Sequence, residues 1–387
     1  MAHERVRHVF SILLKRHRFW PVLGVLGARQ TGKSTLFREQ VAKKIGAQYV
    51  TLDQKDIRDQ ASKHPALFLD SFTKAPIIID EVQKAPDLFD AIKQSVDEKK
   101  RPGRFLLTGS TDFSQKVGIR ESLTGRIGLI RLYPLTLAEC AEKKISESWL
   151  THNNPTPFSL SEVSKRLKYG GLPGICFVRA DAERGNAFDA WIDTTCFRDL
   201  QQIKKSRLSG ELAQDILKAL STCTEPTVAE LVKKLRVNTR KILTHLEALE
   251  TLFVVQRIEP HPLGVGKTHY QLFDSGLASH LGADRKKQMQ IWLLHECLAQ
   301  HEYHGHPVRI KFYISRKGSF VDFVIEKNQQ LFAYIVTDEE SVSTYTRRTA
   351  EAFLKKSPHS LVTIIAPCQS ETRFSKQILV KPLGFMA

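Results

Sequence analysis

Gly27-Ala28-Arg29-Gln30-Thr31-Gly32-Lys33-Ser34 has the spacing G-x-x-x-x-G-K-[ST], and Thr35 follows it. Glycines at both ends let successive backbone N–H groups turn inward around an anion, and a helix starting there adds its dipole. Lys33 can reach the outer phosphates of a nucleoside triphosphate, and Ser34 can hold Mg²⁺. Residues Gly27 to Thr35 are therefore the candidate binding loop. Further on, Ile77-Ile78-Ile79-Asp80-Glu81 is an apolar run ending in two carboxylates. Asp80 would bind Mg²⁺ through its water shell, and Glu81 could polarise an attacking water as general base. A third run, Phe105 to Thr108, leads into Gly109-Ser110-Thr111. Thr108, with Ser110 as the substitute, could hydrogen-bond a terminal phosphate or the water; the alternative is a simple turn cap. Arg126, just before the run Ile127 to Leu132, could stabilise transition-state charge in its own subunit or a neighbour's. It could equally be an exposed cation at a strand start.

These residues need a scaffold that brings several strand ends to one edge. Val22 to Leu26, Tyr49 to Leu52, Ile77 to Asp80, Phe105 to Thr108 and Ile127 to Leu132 are short apolar runs separated by helical patterns. That is the pattern of a parallel sheet buried on both faces, an α/β fold. The phosphate-loop motif lies between the first run and a helix, which is the context it requires. Residues 136–210 read as mostly helical, with a loop at Asn153 to Pro157 and a break at Tyr169-Gly170-Gly171-Leu172-Pro173-Gly174. Residues 211–260 read as three helices, the second starting at Pro226-Thr227 and the third capped by Asn238. An apolar run at Phe253 to Val255 and a strand at Tyr270 to Phe273 complete a winged helix. Helix 288–303 and strands at Arg309–Ser315, Phe320–Glu326, Leu331–Val336 and Leu361–Ile365 follow.

The chain has 387 residues, enough for two or three domains, with 42% hydrophobic and 26% charged side chains. No apolar run approaches the ~20 residues that span a bilayer, so a membrane partner is not expected. Six single cysteines without a CxxC pair read as reduced thiols of a cytoplasmic protein rather than a disulfide framework or zinc site. The 58 basic against 41 acidic residues give a net charge of +17, which permits a polyanionic partner. No basic tail says where it would sit.

Taken together, these residues resemble the AAA-type P-loop ATPases of bacteria and archaea, in particular the branch whose C-terminal half is a domain of unknown function. The resemblance rests on Gly27 to Thr35, Ile77 to Gln83, Leu107 to Ser110, Ser122 to Arg126 with Pro134-Leu135-Thr136, Gly170 to Pro173 and Phe273 to Leu277. It implies sheet order 5-1-4-3-2, ATP with Mg²⁺, a helical lid and a winged helix. It also implies that Gly171 and Pro173 lie near the adenine; the alternative is a plain break between helices. The expected domains are an ATPase core at 1–137, a lid at 138–210, a winged helix at 211–282 and an α+β domain at 283–387.

In the winged helix, Thr239, Arg240, Lys241 and His245 could enter a DNA major groove; alternatively the module packs on the core and reads nothing. The last domain resembles restriction endonucleases, whose sites need a helical Glu, a strand Asp and Glu-x-Lys. Glu296 and Asp322 fill the first two places, but Ile335 and Thr337 stand in the third, so a working nuclease is not expected. The expected function is Mg²⁺-dependent ATP hydrolysis coupled to movement of the C-terminal regions. The alternatives are a slow nucleotide switch binding DNA or a protein, and an ATP-gated nuclease. A homo-oligomer would allow Arg126 to act in trans.

Overall fold

The computed structural model describes residues 5–72, 75–113, 123–144, 158–203 and 208–386; Ser122 and the loop expected at 153–157 lie outside them. Strands β1 (Val22–Leu26), β2 (Gln48–Thr51), β3 (Ile77–Asp80), β4 (Phe105–Gly109) and β5 (Ile127–Arg131) form a parallel sheet in the order β2-β3-β4-β1-β5. This is the expected 5-1-4-3-2 order. The alternation of strand side chains supplies two apolar faces. Leu23, Val25, Ile78, Leu106 and Ile130 face the helix Val9–His17 and the Leu36–Val41 segment. Val22, Leu26, Ile77, Ile79, Phe105 and Leu107 join the core that includes Leu88, Phe89, Ile92 and Val96 of the helix Leu88–Glu98.

The middle of the chain is helical: Leu160–Tyr169, Asp181–Asp193 continuing into Thr194–Asp199, Gly210–Thr222, Val228–Leu235 and Thr239–Thr251. Thr227 and Asn238 cap the last two by accepting backbone N–H bonds from Glu230 (3.2 Å) and Lys241 (2.9 Å). Strand β6 (Val255–Pro260) pairs antiparallel with β7 (His269–Leu272). The ribbon starts later than the apolar run at Phe253 suggests. Phe253 sits at φ 61°, and Val254 N–H closes the helix end on Leu249 C=O.

The C-terminal region adds β8 (Ile310–Ile314), β9 (Phe320–Lys327), β10 (Gln330–Val336), β11 (Leu361–Ala366), β12 (Thr372–Arg373) and β13 (Ile378–Pro382). Their sheet, β12-β13-β11-β10-β9-β8-β6-β7, absorbs the ribbon through parallel pairing of Glu259 and Pro260 with Lys311 and Phe312. The ribbon's tip is also held, by His261 N–H to Phe312 C=O (2.7 Å) and Val265 N–H to Ile314 C=O (2.8 Å). The two-stranded ribbon expected after the three helices is present, and it is also part of the larger sheet. Helix Arg285–Tyr303 is buried almost all round, its Trp292, Leu293 and Leu294 packing against Phe312, Phe323 and Tyr334.

Candidate nucleotide site

The loop Gly27 to Ser34 follows β1 at the carboxyl edge of the parallel sheet, where α/β proteins bind ligands. A Cβ on Gly27 would lie 2.2 Å from Leu132 C=O, so only glycine fits. Gly32 takes φ 93° at the start of the helical segment Lys33–Thr35, and Gln30 takes φ 61°. These left-handed residues curl the backbone into an anion-binding concavity. Thr31 turns inward, its hydroxyl donating to Ala28 C=O at 2.9 Å. The Lys33 ammonium donates to Gly27 and Ala28 C=O, both at 2.8 Å. Burial pulls its pKa down, and the nearby Glu81 and Asp80 carboxylates oppose that.

Asp80, almost fully buried, receives hydrogen bonds on both oxygens, from the Thr108 hydroxyl and from Tyr49 OH at 2.6 Å. Tyr49, from the neighbouring strand β2, thus holds the strand-end carboxylate. Glu81 sits at φ 58°, ψ 43°, a left-handed conformation that swings its carboxylate out of the strand direction. Gln83 and Ser110 hold that carboxylate, the serine hydroxyl at 2.9 Å. Thr108 thus fixes Asp80, and it accepts Glu81 N–H at 3.3 Å. Ser110, the substitute, fixes Glu81.

A cleft of about 780 Å³ opens over this edge, within the size range of small-molecule sites. It is lined by the loop residues Arg29, Gln30, Gly32, Lys33, Ser34 and Thr35, by Glu81 and Asp53, and by Arg5, Pro173 and Phe177, with Pro173 beside Gly32. Of the lining cations, Arg5, Arg7 and Arg29 are ion-paired with Glu142, Glu139 and Asp199, which leaves the Lys33 ammonium as the charge offered to an anion at the loop.

Some expected residues fall elsewhere. Pro173 lines the cleft, but Gly171 does not: its N–H donates to Asp274 at 2.6 Å and its C=O accepts from Leu135 at 2.7 Å. A Cβ there would meet Arg166 at 2.3 Å, so Gly171 serves a close helix contact. Arg126 precedes β5 at the opposite, amino edge of the sheet, about 16 Å from the loop by strand rise. It forms a two-pronged pair with Asp97 at 2.6 and 2.8 Å, so it does not reach its own chain's loop. His245 is buried, bonded to Lys241 C=O and Ser209 N–H, and cannot enter a groove; Thr239, Arg240 and Lys241 are exposed. Glu296 accepts from Leu137 N–H (2.7 Å) and Trp292 (3.0 Å), whereas Asp322 accepts from Val336 N–H (2.7 Å) and Gln290 (2.5 Å). The two carboxylates therefore serve different partners.

Three contributors have no local signature in the sequence. Tyr49 looks like an ordinary strand aromatic. Arg29 of the loop makes a two-pronged pair with Asp199 in the helical region. Arg7, 4% exposed, donates to Thr31 C=O (2.6 Å), Tyr133 C=O (2.7 Å), Glu139 (3.0 Å) and Tyr303 OH (3.3 Å). Each depends on a partner distant in the chain.

Residues 20–141 match the family model described as AAA domain. The match spans all five strands and the loop, and the parallel sheet is an AAA-type P-loop fold. Uncharacterised proteins of Mycobacterium tuberculosis and Mycobacterium bovis are each 30% identical over 250 residues, covering 64% of this chain and 52% of theirs. The chain thus spans about half the length of these curated relatives. Among solved structures, the Aeropyrum pernix Orc1 protein in complex with DNA aligns at TM-score 0.31 and 14% identity, over 76% of this chain and 93% of that one. The S. cerevisiae Hsp104–ADP complex aligns at TM-score 0.31 and 15% identity, over 77% and 43%.

Proposed function

We propose that this protein is a Mg²⁺-dependent ATPase whose nucleotide cycle moves its C-terminal regions. The observation that carries the reading is the convergence of Lys33, Ser34 and Glu81 on one cleft, with Asp80 next to Glu81 at the end of β3. The loop amides and Lys33 hold the phosphates. The donor set suits Mg²⁺, because a serine hydroxyl and a carboxylate are hard oxygen ligands and Tyr49 fixes that carboxylate. When bound, the ion neutralises charge between the outer phosphates. Asp80 holds its water shell, and Thr108 steadies Asp80. Glu81 orients the attacking water and accepts its proton. Pro173 and Phe177 supply apolar lining of the same cleft, against which the base would pack.

The division into core (1–137), lid (138–210), winged helix (211–282) and degenerate endonuclease-like domain (283–387) belongs to the same proposal. In it, the exposed Arg240 and Lys241 are the contacts offered to DNA. Arg126 works on a neighbouring copy's nucleotide in a homo-oligomer, because its own loop is at the other edge of the sheet. A slow switch is the second reading. It is favoured by Arg29–Asp199 and Arg7–Tyr303, which tie the loop to the helical and C-terminal regions. No helix among the described residues is long and apolar enough to cross a membrane.

The test pairs two variants. Lys33→Ala should weaken binding of Mg²⁺ with a non-hydrolysable ATP analogue by about 10- to 100-fold in calorimetry. Glu81→Gln should bind normally but release phosphate ~10²- to 10³-fold more slowly. If both variants hydrolyse like wild type, the assignment fails. Turnover of roughly one per second favours a motor, and near-zero turnover with retained nucleotide favours the switch.

A further inference from the structure

Two stretches far apart in the chain carry cations and no acidic residue: residues 15–20 hold Lys15, Arg16 and Arg18, and residues 99–104 hold Lys99, Lys100, Arg101 and Arg104. The fold joins them at the amino edge of the parallel sheet. Val22 of β1 lies beside Phe105 of β4, and hydrogen bonds continue past the strand ends. Phe105 N–H donates to Pro21 C=O at 3.1 Å, and Gly103 N–H to Trp20 C=O at 2.8 Å. His17 Nε2 lies 2.9 Å from the Gly103 carbonyl oxygen. A Cβ on Gly103 would lie 2.7 Å from that ring, and its φ is 71°, so a glycine is what lets the two stretches touch.

Arg16 is committed within the fold, to Leu129 C=O at 2.6 Å and Glu302 at 3.2 Å. The other six cations form no ion pair among the described residues, and all but the half-buried Arg104 are exposed. Of the adjoining carboxylates, Asp97 is held by Arg126 at 2.6 and 2.8 Å, and Glu98 accepts from Gln94 at 3.1 Å. Complementing the dipole at the end of helix Val9–His17 accounts for Lys15 but not for the five cations beyond the helix. An aromatic ring stands among them. Trp20 covers β5 where Gly128 leaves room, since a Cβ there would lie 2.5 Å from the indole. The N–H groups of Phe19 and Trp20 both close on Arg16 C=O at 3.0 Å. This turn holds Phe19 outward, 73% exposed, with its ring edge-on to Trp20 at 5.4 Å.

We propose that this edge of the sheet binds single-stranded nucleic acid, the cations neutralising backbone phosphates and Phe19 stacking on a base. A single strand is favoured over a duplex because an outward ring needs an unstacked base, and a duplex would meet the cations alone. The phosphate loop lies at the opposite edge, about 16 Å away by strand rise along β1, so both sites can be filled at once. This surface is also separate from Arg240 and Lys241 of the helix Thr239–Thr251.

The test titrates the intact chain into a fluorescein-labelled oligothymidylate of about 15 nucleotides and reads anisotropy. Affinity should fall about a hundred-fold between roughly 50 and 200 mM KCl. Unlabelled oligothymidylate should compete better than a duplex of equal length. Lys99→Glu, Lys100→Glu and Arg101→Glu combined should weaken binding at least about ten-fold, and Phe19→Ala about five-fold. Melting midpoints should not move, because these side chains are exposed. Arg240→Ala with Lys241→Ala should bind as wild type. The proposal is overturned if the wild-type chain does not bind, if the charge-reversed protein binds as well as wild type, or if Phe19→Ala has no effect. A better-competing duplex overturns it too, as does loss of binding in the Arg240 and Lys241 variant. So does sedimentation with phosphatidylserine vesicles that Phe19→Ala abolishes, which would assign the ring to a lipid surface.

Discussion

The two sheets of this molecule carry the same kind of residue in the same kind of place, yet only one forms a cleft for chemistry. In the parallel sheet, Asp80 and Glu81 end β3, face the phosphate loop, and are held by side-chain hydroxyls and an amide. In the mixed sheet, Asp322 on β9 and Glu296 on the long helix are as deeply buried, but each accepts a backbone N–H bond and a side-chain bond from a different neighbourhood. A buried carboxylate becomes useful when its partners leave it facing a space that a ligand can enter. When its partners are backbone groups of adjoining elements, it serves as packing.

The largest expected effect tests the first half of that contrast. Gly27→Ala should abolish nucleotide binding, at least about a hundredfold in calorimetry, because the new methyl collides with Leu132 C=O and dismantles the cradle. Gly174→Ala, whose Cβ would meet nothing within 4 Å although it lines the same cleft, should bind as wild type.

The second effect belongs to the mixed sheet. Burial raises Glu296 to about 7 and Asp322 to about 6, so the folded state holds their protons more tightly than the unfolded chain. Their stabilising contribution is complete below about pH 4 and is lost as pH rises through 6 and 7, by at most ~3 kcal/mol each. Denaturant midpoints should therefore fall from pH 5 to about 7 and level off toward 8, and Glu296→Gln should flatten the fall below about 7. Asp322→Ala should cost about 2 kcal/mol in the same measurement, by orphaning Val336 N–H and Gln290, while phosphate release stays within about two-fold. A collapse of hydrolysis in that variant would erase the contrast between the sheets.

A smaller change sharpens the metal side. Tyr49→Phe keeps the ring but removes the bond to Asp80, and should raise the Mg²⁺ concentration for half-maximal turnover about three- to ten-fold. The smallest effect is expected from Arg126→Ala. Its pair with Asp97 is solvent-exposed, so the melting midpoint should not move, and dilute protein should hydrolyse as before. Loss of activity confined to concentrated, self-associated protein would place the arginine in a neighbour's cleft.

How far the sequence reveals all this depends on the range of each interaction. Local signals are clear: Ile77–Asp80 is a strand as expected, Thr227 and Asn238 cap their helices, and the glycine spacing marks the loop. Strand order followed from a resemblance, since apolar runs alone say that strands are buried and not which are neighbours. The helix Thr344–Lys356 and strands β12 and β13 were not anticipated from the apolar runs. Tyr49, Asp199 and Arg7 were illegible for a firmer reason. Their roles exist only once partners far along the chain are brought within 3 Å, and nothing near them in sequence encodes that meeting. The same holds for Arg126 at its strand start, whose place at the amino edge of the sheet is set only by strand pairing.

Arg7 sets a practical boundary. A fragment cut to residues 20–141 would retain every letter of the phosphate-loop motif and the whole parallel sheet. It would nevertheless lose the guanidinium that ties the Thr31 and Tyr133 carbonyls to the Glu139 carboxylate. The smallest autonomous unit that grips phosphate must therefore include a residue upstream of anything the motif itself marks out, and its keystone is an arginine with no pattern of its own.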